Sequence, residues 1–216
     1  MLYNIGSLIA QAQNADDMVT LVVEHVLPRG ASRAALMLVV NTEEEEVSQL
    51  EIVGFRDKQG DTRMRGMRLT LDELPIVRRM NDEGLVIANI DDPEVDLASR
   101  QTLTHCDVGA IAFIPLRSGG RLVGILTSSA ILPTQFDPAD IRLLRTVGSS
   151  IAVALEKQRL LRQAERRALE MQTASEIARD TTSTLALDQL LNRIVNLLQA
   201  RFNFASASVY FIVEPR

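Results

Sequence analysis

Two adjacent residues carry the chemistry most worth questioning: His105 and Cys106, directly ahead of the apolar stretch 108–130. An imidazole beside a thiol can ligate a haem, take part in nucleophilic chemistry or hydrogen-bond a polar ligand. The plainer role is structural. A free cysteine packs as a small apolar residue, and a neutral histidine gives one ring proton to a backbone carbonyl. The chain holds one further histidine, His25, and no further cysteine, so no intrachain disulfide forms and a reducing cytoplasm suits it. His25 falls at the polar margin of a helical stretch beside Val22 and Val26.

Other reactive constellations are missing. There is no Gly-rich phosphate loop with lysine, no Gly-x-Ser-x-Gly elbow and no His-Glu-x-x-His. The run Glu43–Glu46 has the charge for a metal, but such runs ordinarily mark a solvated loop. The net charge of −5 and the lack of lysine and arginine interleaved with aromatics weigh against a nucleic-acid partner. No apolar run reaches the roughly 20 residues of a membrane helix, and no basic-then-apolar signal segment opens the chain. With no tryptophan and two tyrosines, the core has to be aliphatic.

The elements that would position the pair follow from periodicity. Ile5, Leu8, Ile9 and Ala12 share one helical face; after a break at Asn14–Asp17, Met18, Leu21, Val22 and Val26 share another. Asp16 or Asp17 is the expected cap, and Pro28 with Gly30 the stop. Residues 34–40 and 49–55 read as a strand pair, 58–68 as loop, 73–82 as a short helix closed by Gly84, 85–90 as a strand and 94–105 as a helix. Two further strands then fold back on Ser118-Gly119-Gly120. On the first, Ala110, Ala112, Ile114 and Leu116 oppose Ile111, Phe113 and Pro115; on the second, Val123 and Ile125 oppose Leu122, Leu126 and Ala130. Both faces are apolar, so this hairpin is expected at the centre of a sheet covered on two sides.

Asp137 caps a helix with Pro138 in its first turn and Asp140 at the third position. Its pattern continues to about Asp180, which at 1.5 Å per residue is about 65 Å, longer than one domain covers. Ile141, Leu144, Gly148, Ile151 and Leu155 follow the 3–4 spacing of a two-stranded coil. Beyond them the register shifts to Leu161, Ala164 and Ala168. The chain also repeats itself: 5–12 resembles 173–180, 16–27 resembles 187–198, and 31–40 resembles 205–214. The expected organisation is a core over 1–136, a closing helix running into a connector over 137–184, and the opening of a second copy over 185–216.

The ordered pieces Val108-Gly109-Ala110, Pro115-Leu116, Gly119-Gly120, Leu122, Gly124 and Leu126 are followed by Phe136, Asp140, Leu143-Leu144, Gly148 and Ala154-Leu155. Together they resemble the GAF family of sensory domains over roughly 3–160. The resemblance implies an α+β fold: an antiparallel sheet of about six strands, terminal helices on one face, and short helices with loops over a pocket on the other. It implies a place in tandem-sensor signalling proteins such as histidine kinases. It also implies a pocket that His105 and Cys106 line, with Asp91 and Asp92 as further polar candidates and Arg56, Arg63 and Arg65 at the mouth. Capping the helix at 94 is the plainer role for Asp91 and Asp92.

Three cofactors of such domains are disfavoured. The cyclic-nucleotide signature keeps Phe136 and Asp140 but has Ile141 for its glutamate and lacks its Asn-Lys. Bilin-binding relatives place a Cys-His pair about eight residues ahead of the strand, whereas here His105-Cys106 stands in reverse order, two residues before Val108. Haem ligation rests on His105 alone. Methionine-sulfoxide reductase chemistry is a weak alternative, since it works through several cysteines. The expected function is a non-catalytic, cytoplasmic sensory module with a small-molecule ligand. It would form a homodimer through Ile141, Leu144, Ile151 and Leu155, with a ligand-free structural relay as the alternative.

Overall fold

The computed structural model describes residues 2–40, 49–80, 84–202, 206 and 208. The run Glu43–Glu46 and the strand expected over 205–214 lie outside the described residues, 206 and 208 excepted. The chain divides into two units, Met1–Arg159 and Leu160–Arg216.

In the first unit, helices α1 (Leu2–Gln11) and α2 (Ala15–His25) precede strands β1 (Arg33–Val40), β2 (Gln49–Asp57) and β3 (Arg68–Thr70). A 3₁₀ helix (Pro75–Arg79) leads to β4 (Val86–Asn89), α3 (Leu97–His105), β5 (Ala110–Ser118) and β6 (Arg121–Ala130). Helix α4 (Pro138–Phe202) begins in the first unit and makes up the described helix of the second. The strands form one antiparallel sheet in the order β3-β2-β1-β6-β5-β4.

Alternation along these strands feeds two separate cores. Ala34, Leu36, Ala112, Ile114, Leu116 and Leu126 pack on α1, α2 and the start of α4, including Ile9, Met18, Val22, Leu144 and Ile151. Ala35, Met37, Ile52, Ile111, Phe113 and Ile125 face the other way, under Leu74, Ile76, Val77 and Leu103. The expected two-sided central hairpin is therefore present, and β6 lies between β1 and β5.

Several local expectations need correction. The cap of α2 is Asn14, whose Oδ1 accepts from the Asp17 amide at 2.9 Å, while Asp17 Oδ2 accepts in return from the Gln13 amide at 3.0 Å. This reciprocal pair satisfies two amides where a single aspartate would satisfy one. The α3 cap is Asp96, not Asp91 or Asp92. The 58–68 loop ends in β3, whose three residues are too few to alternate visibly. A bulge pairs Leu116 with Gly124 and Arg117 with Leu122, leaving Val123 over. Val123 consequently packs on the helix-side core while Ile125 joins the other, so the expected shared face is lost.

Helix α4 runs past Asp180 to Phe202. No glycine or proline occurs between Gly148 and Pro215, so the sequence supplies no breaker in between.

Gly109, just before β5, shows why the motif needs a glycine. An added Cβ would lie 2.5 Å from the Ile131 carbonyl oxygen and 2.6 Å from the Pro133 nitrogen. Backbone, not a flexible side-chain tip, would have to move. Gly6 in α1 has only Ser150 Oγ nearby, at an ordinary 3.5 Å. Gly109→Ala should destabilise by about 3 kcal/mol, the upper end of overpacking costs. Gly6→Ala should stabilise by about 0.5–1 kcal/mol, the gain from replacing an interior helical glycine. Denaturant titration followed by circular dichroism separates the two; equal effects would contradict the packing described.

Candidate functional site

The face of the sheet turned away from α4 encloses a cavity of about 40 Å³. Its floor comes from alternate strand residues: Ala35 and Met37 of β1, Ile111 and Phe113 of β5, and Ile52 and Phe55 of β2. Met64, Leu74, Thr102, Leu103 and Cys106 close it from loop and helix. Polar groups gather at one end. Arg33 pairs across the sheet with Ser129, and Ala35 with Thr127, so Arg33, Ser129 and Thr127 share the cavity face.

The roof is tied down by a few hydrogen bonds. Ser99, fully buried, accepts from the Ile76 amide at 3.0 Å and donates to Asp96 Oδ2 at 2.7 Å, joining α3 to the 3₁₀ helix. Thr102 donates to the Glu73 carbonyl at 2.5 Å. Arg33 Nη1 donates to the carbonyls of Cys106 at 2.8 Å and Asp107 at 3.2 Å. These are carbonyls that a helix C-terminus leaves without intrahelical partners. At that end Asp107 takes a left-handed φ of 54°, and the Val108 amide returns to the Leu103 carbonyl at 2.9 Å.

Of the seven pocket candidates read from the sequence, the structure puts Cys106 on the cavity wall. His105 is exposed at the end of α3 and does not line the cavity. Asp91 is exposed, and Asp92 spends Oδ1 on the Glu94 amide at 2.9 Å and its carbonyl on Arg100 at 2.8 Å, shaping the turn before α3. Arg56 is half-buried on β2 and not part of the wall. Arg63 pairs with Asp61 at 2.5 Å, and Arg65 with Asp16. On α4, Leu144 and Ile151 are fully buried against their own sheet, while Ile141 and Leu155 pack half-buried on the same core.

Sequence reasoning passed over Arg33, Thr102, Thr127 and Ser129. A signal existed for three of them: polar residues at inward positions of strands otherwise apolar on both faces. Among the described residues no group of acidic, histidine and cysteine side chains could hold a metal ion. None of the described helices is long and apolar enough to cross a membrane.

Burial pushes the Cys106 thiol above its ordinary value, Arg33 pulls it down and Asp107 adds to the rise, with a net increase. The thiol is therefore protonated at neutral pH and a poor nucleophile. Alkylation by iodoacetamide at pH 7.5 should be slower than that of a free thiol such as glutathione; a faster rate would reveal an activated cysteine. Burial also raises Asp96, but the amide and hydroxyl of Ser99 outweigh it and hold that carboxyl below the usual value. A depressed carboxylate contributes stability above its unfolded pKa and loses it as pH falls through the folded one. Asp96→Ala should thus cost about 1 kcal/mol at pH 7, as lost caps do. The gap from wild type should close below about pH 4, near the unfolded carboxylate value; a gap constant from pH 7 to pH 2 would speak against the carboxylate as its source.

No curated protein sequence matches the chain. The fold recurs in the GAF domain of a two-component sensor histidine kinase from Bacillus halodurans, with 19% identity, 69% of this chain and 99% of that chain covered, and a TM-score of 0.54. It recurs in the GAF domain of an Acinetobacter phosphoenolpyruvate-protein phosphotransferase, with 15% identity, 74% and 92% covered, and a TM-score of 0.53. A phycoerythrobilin-bound GAF domain from a cyanobacterial phytochrome gives 15% identity, 74% and 95% covered, and a TM-score of 0.60. At such identities the likeness is one of fold. The GAF domain family model itself matches residues 12–156, from the start of α2 through the sheet to the part of α4 that covers it. With that match and this architecture together, the chain belongs to the GAF domain family, whose members are sensory and regulatory modules of signalling proteins.

Proposed function

We propose that the first unit senses a small molecule in the cavity beneath α3, and that the protein dimerises in parallel through α4, which relays the state of the sensor along its length to the second unit. In this reading residues 185–216 open a second domain of the same kind. The protein works in the cytoplasm, as its lone cysteine suits, and regulates an output activity carried elsewhere, such as a histidine kinase.

The observation that carries the relay is a change in what α4 buries. As far as Leu155 its large apolar residues pack on the helix-side core, with Val153, 68% exposed, as the exception. Beyond Arg159, Leu161 is 53% exposed, Leu169 65% and Met171 76%, with Ala164 and Ala168 exposed too. Leu161, Ala164, Ala168 and Met171 follow the 3–4 spacing of a coiled-coil seam and have no partner of their own chain among the described residues. A second copy supplies one. Leu144 and Ile151 are spent inside the first unit, so the pairing seam falls further along the helix.

A second reading, a relay without ligand, draws on the cavity's size. About 40 Å³ holds little more than a water or two, against the roughly 300–1,000 Å³ of ordinary ligand sites. Sedimentation at micromolar concentration should show a dimer, and Leu161→Glu with Met171→Glu should shift it to a monomer while leaving the first unit's fold intact. A monomeric wild type would end the relay. Native mass spectrometry of freshly purified protein then separates the readings: a retained mass of up to a few hundred daltons supports sensing, and a ligand-free dimer supports the bare relay.

A further inference from the structure

We infer that the cavity takes a small monocarboxylate with a short apolar tail, its carboxylate held by Arg33 and its tail lying among Met37, Leu74, Leu103 and Phe113. This rests on the reading of the cavity as a ligand site and adds the chemistry of the ligand.

Charge selects the head group. Among the described residues, Arg33 is the one charged side chain on the cavity wall, and it makes no ion pair. Its Nη1 is occupied by the carbonyls of Cys106 and Asp107, while Nη2 and Nε have no hydrogen bond among the described residues. A half-buried guanidinium with two nitrogens unspent presents the fork that a carboxylate fits with two parallel bonds. Cross-strand register puts two hydroxyl residues on the same cavity face as Arg33. Ser129 stands directly opposite Arg33, and Thr127, only 2% exposed, stands opposite Ala35, to whose carbonyl its hydroxyl donates at 3.5 Å.

The rest of the wall selects the tail. Away from this corner it is aliphatic, aromatic and thioether apart from Thr102 and the Cys106 thiol. A second carboxylate at the far end would be buried without a partner, which excludes dicarboxylates. The space as it stands holds little more than a water or two, so a tail of a few carbons enters only as Met37 and Met64, the adaptable side chains of the wall, yield to it.

Isothermal titration of the full chain with butyrate, hexanoate, hexanamide and adipate tests this. Hexanoate or butyrate should bind about tenfold or more tighter than hexanamide, the value of a charge-assisted hydrogen bond, and adipate should bind at least as much more weakly than hexanoate, its second carboxylate having no partner. Arg33→Gln should abolish the preference for carboxylate over amide, and Arg33→Lys should keep part of it. Circular dichroism and a melting curve check that each variant folds, and the acid–amide comparison on the unaltered protein stands without either variant. Equal binding of hexanoate and hexanamide, or an undiminished preference in Arg33→Gln, overturns the carboxylate assignment but leaves a ligand site in place. Failure of all four probes to bind overturns the assignment; combined with a ligand-free native mass spectrum, it removes the sensing reading as well.

Discussion

Ala112 and Phe113 are neighbours in one strand, both have no exposed surface, and they face opposite ways. A strand of that kind has no face to give to water. The sheet built around it has to be covered twice, and the two covers differ in kind. One is made of regular helices, which present long apolar stripes and leave few gaps. The other is made of a 3₁₀ turn, a nine-residue helix and loops, held by a few hydrogen bonds: Ser99 accepts from Ile76, Thr102 donates to Glu73, and Arg33 donates to two carbonyls. Short elements cannot fill a sheet face as completely as helices do, and the cavity lies where they fall short.

The same constraint explains the polar corner. Burying a guanidinium end among apolar side chains is costly unless its donors are matched. Here the match is partial: the free carbonyls at the end of α3 accept from Arg33. Those bonds do two jobs, since they also satisfy a helix terminus that neither intrahelical bonding nor glycine completes. Asp107 occupies the left-handed position where glycine is usual. The link between β1 and the helical roof therefore runs through the one charged residue on the cavity wall described.

Much of this was legible in the sequence, and the misses have physical causes. Short apolar runs between turn residues, with alternation in β2, located five of the six strands, and the two-residue period showed which residues of β5 share a face. It missed β3, which is too short to alternate, and misplaced Val123, because one extra residue inverts every side chain beyond it. The cap at Asn14 was hidden by the aspartates after it, since composition alone does not tell a cap from its reciprocal partner. The site was read less well than the fold. Reactive residue types drew attention to His105 and Asp91, which face solvent, while Arg33 at the start of a strand was passed over. Which of two adjacent residues turns inward at a helix end depends on the last turn of backbone, and no periodicity reports that.

A sensor that signals through α4 has to carry a change from one face of the sheet to the other. The shortest route is a single peptide unit. Phe113 lines the cavity, and the next residue, Ile114, packs against α4 at Gly148: a Cβ there would sit 2.9 Å from its Cγ2. Cores packed to crystal-like density have little slack to absorb a displacement. An aromatic ring pushed aside at Phe113 would, in the proposed sensor, press Ile114 on the helix at Gly148. The absence of a side chain at 148 is what brings helix and strand into that contact. Because no glycine or proline comes after it before Pro215, the sequence offers no built-in hinge at which such a shift would be lost. An uninterrupted helix suits the proposed relay for that reason, and in that proposal the residues exposed from Leu161 to Met171 are where a second copy would register the change.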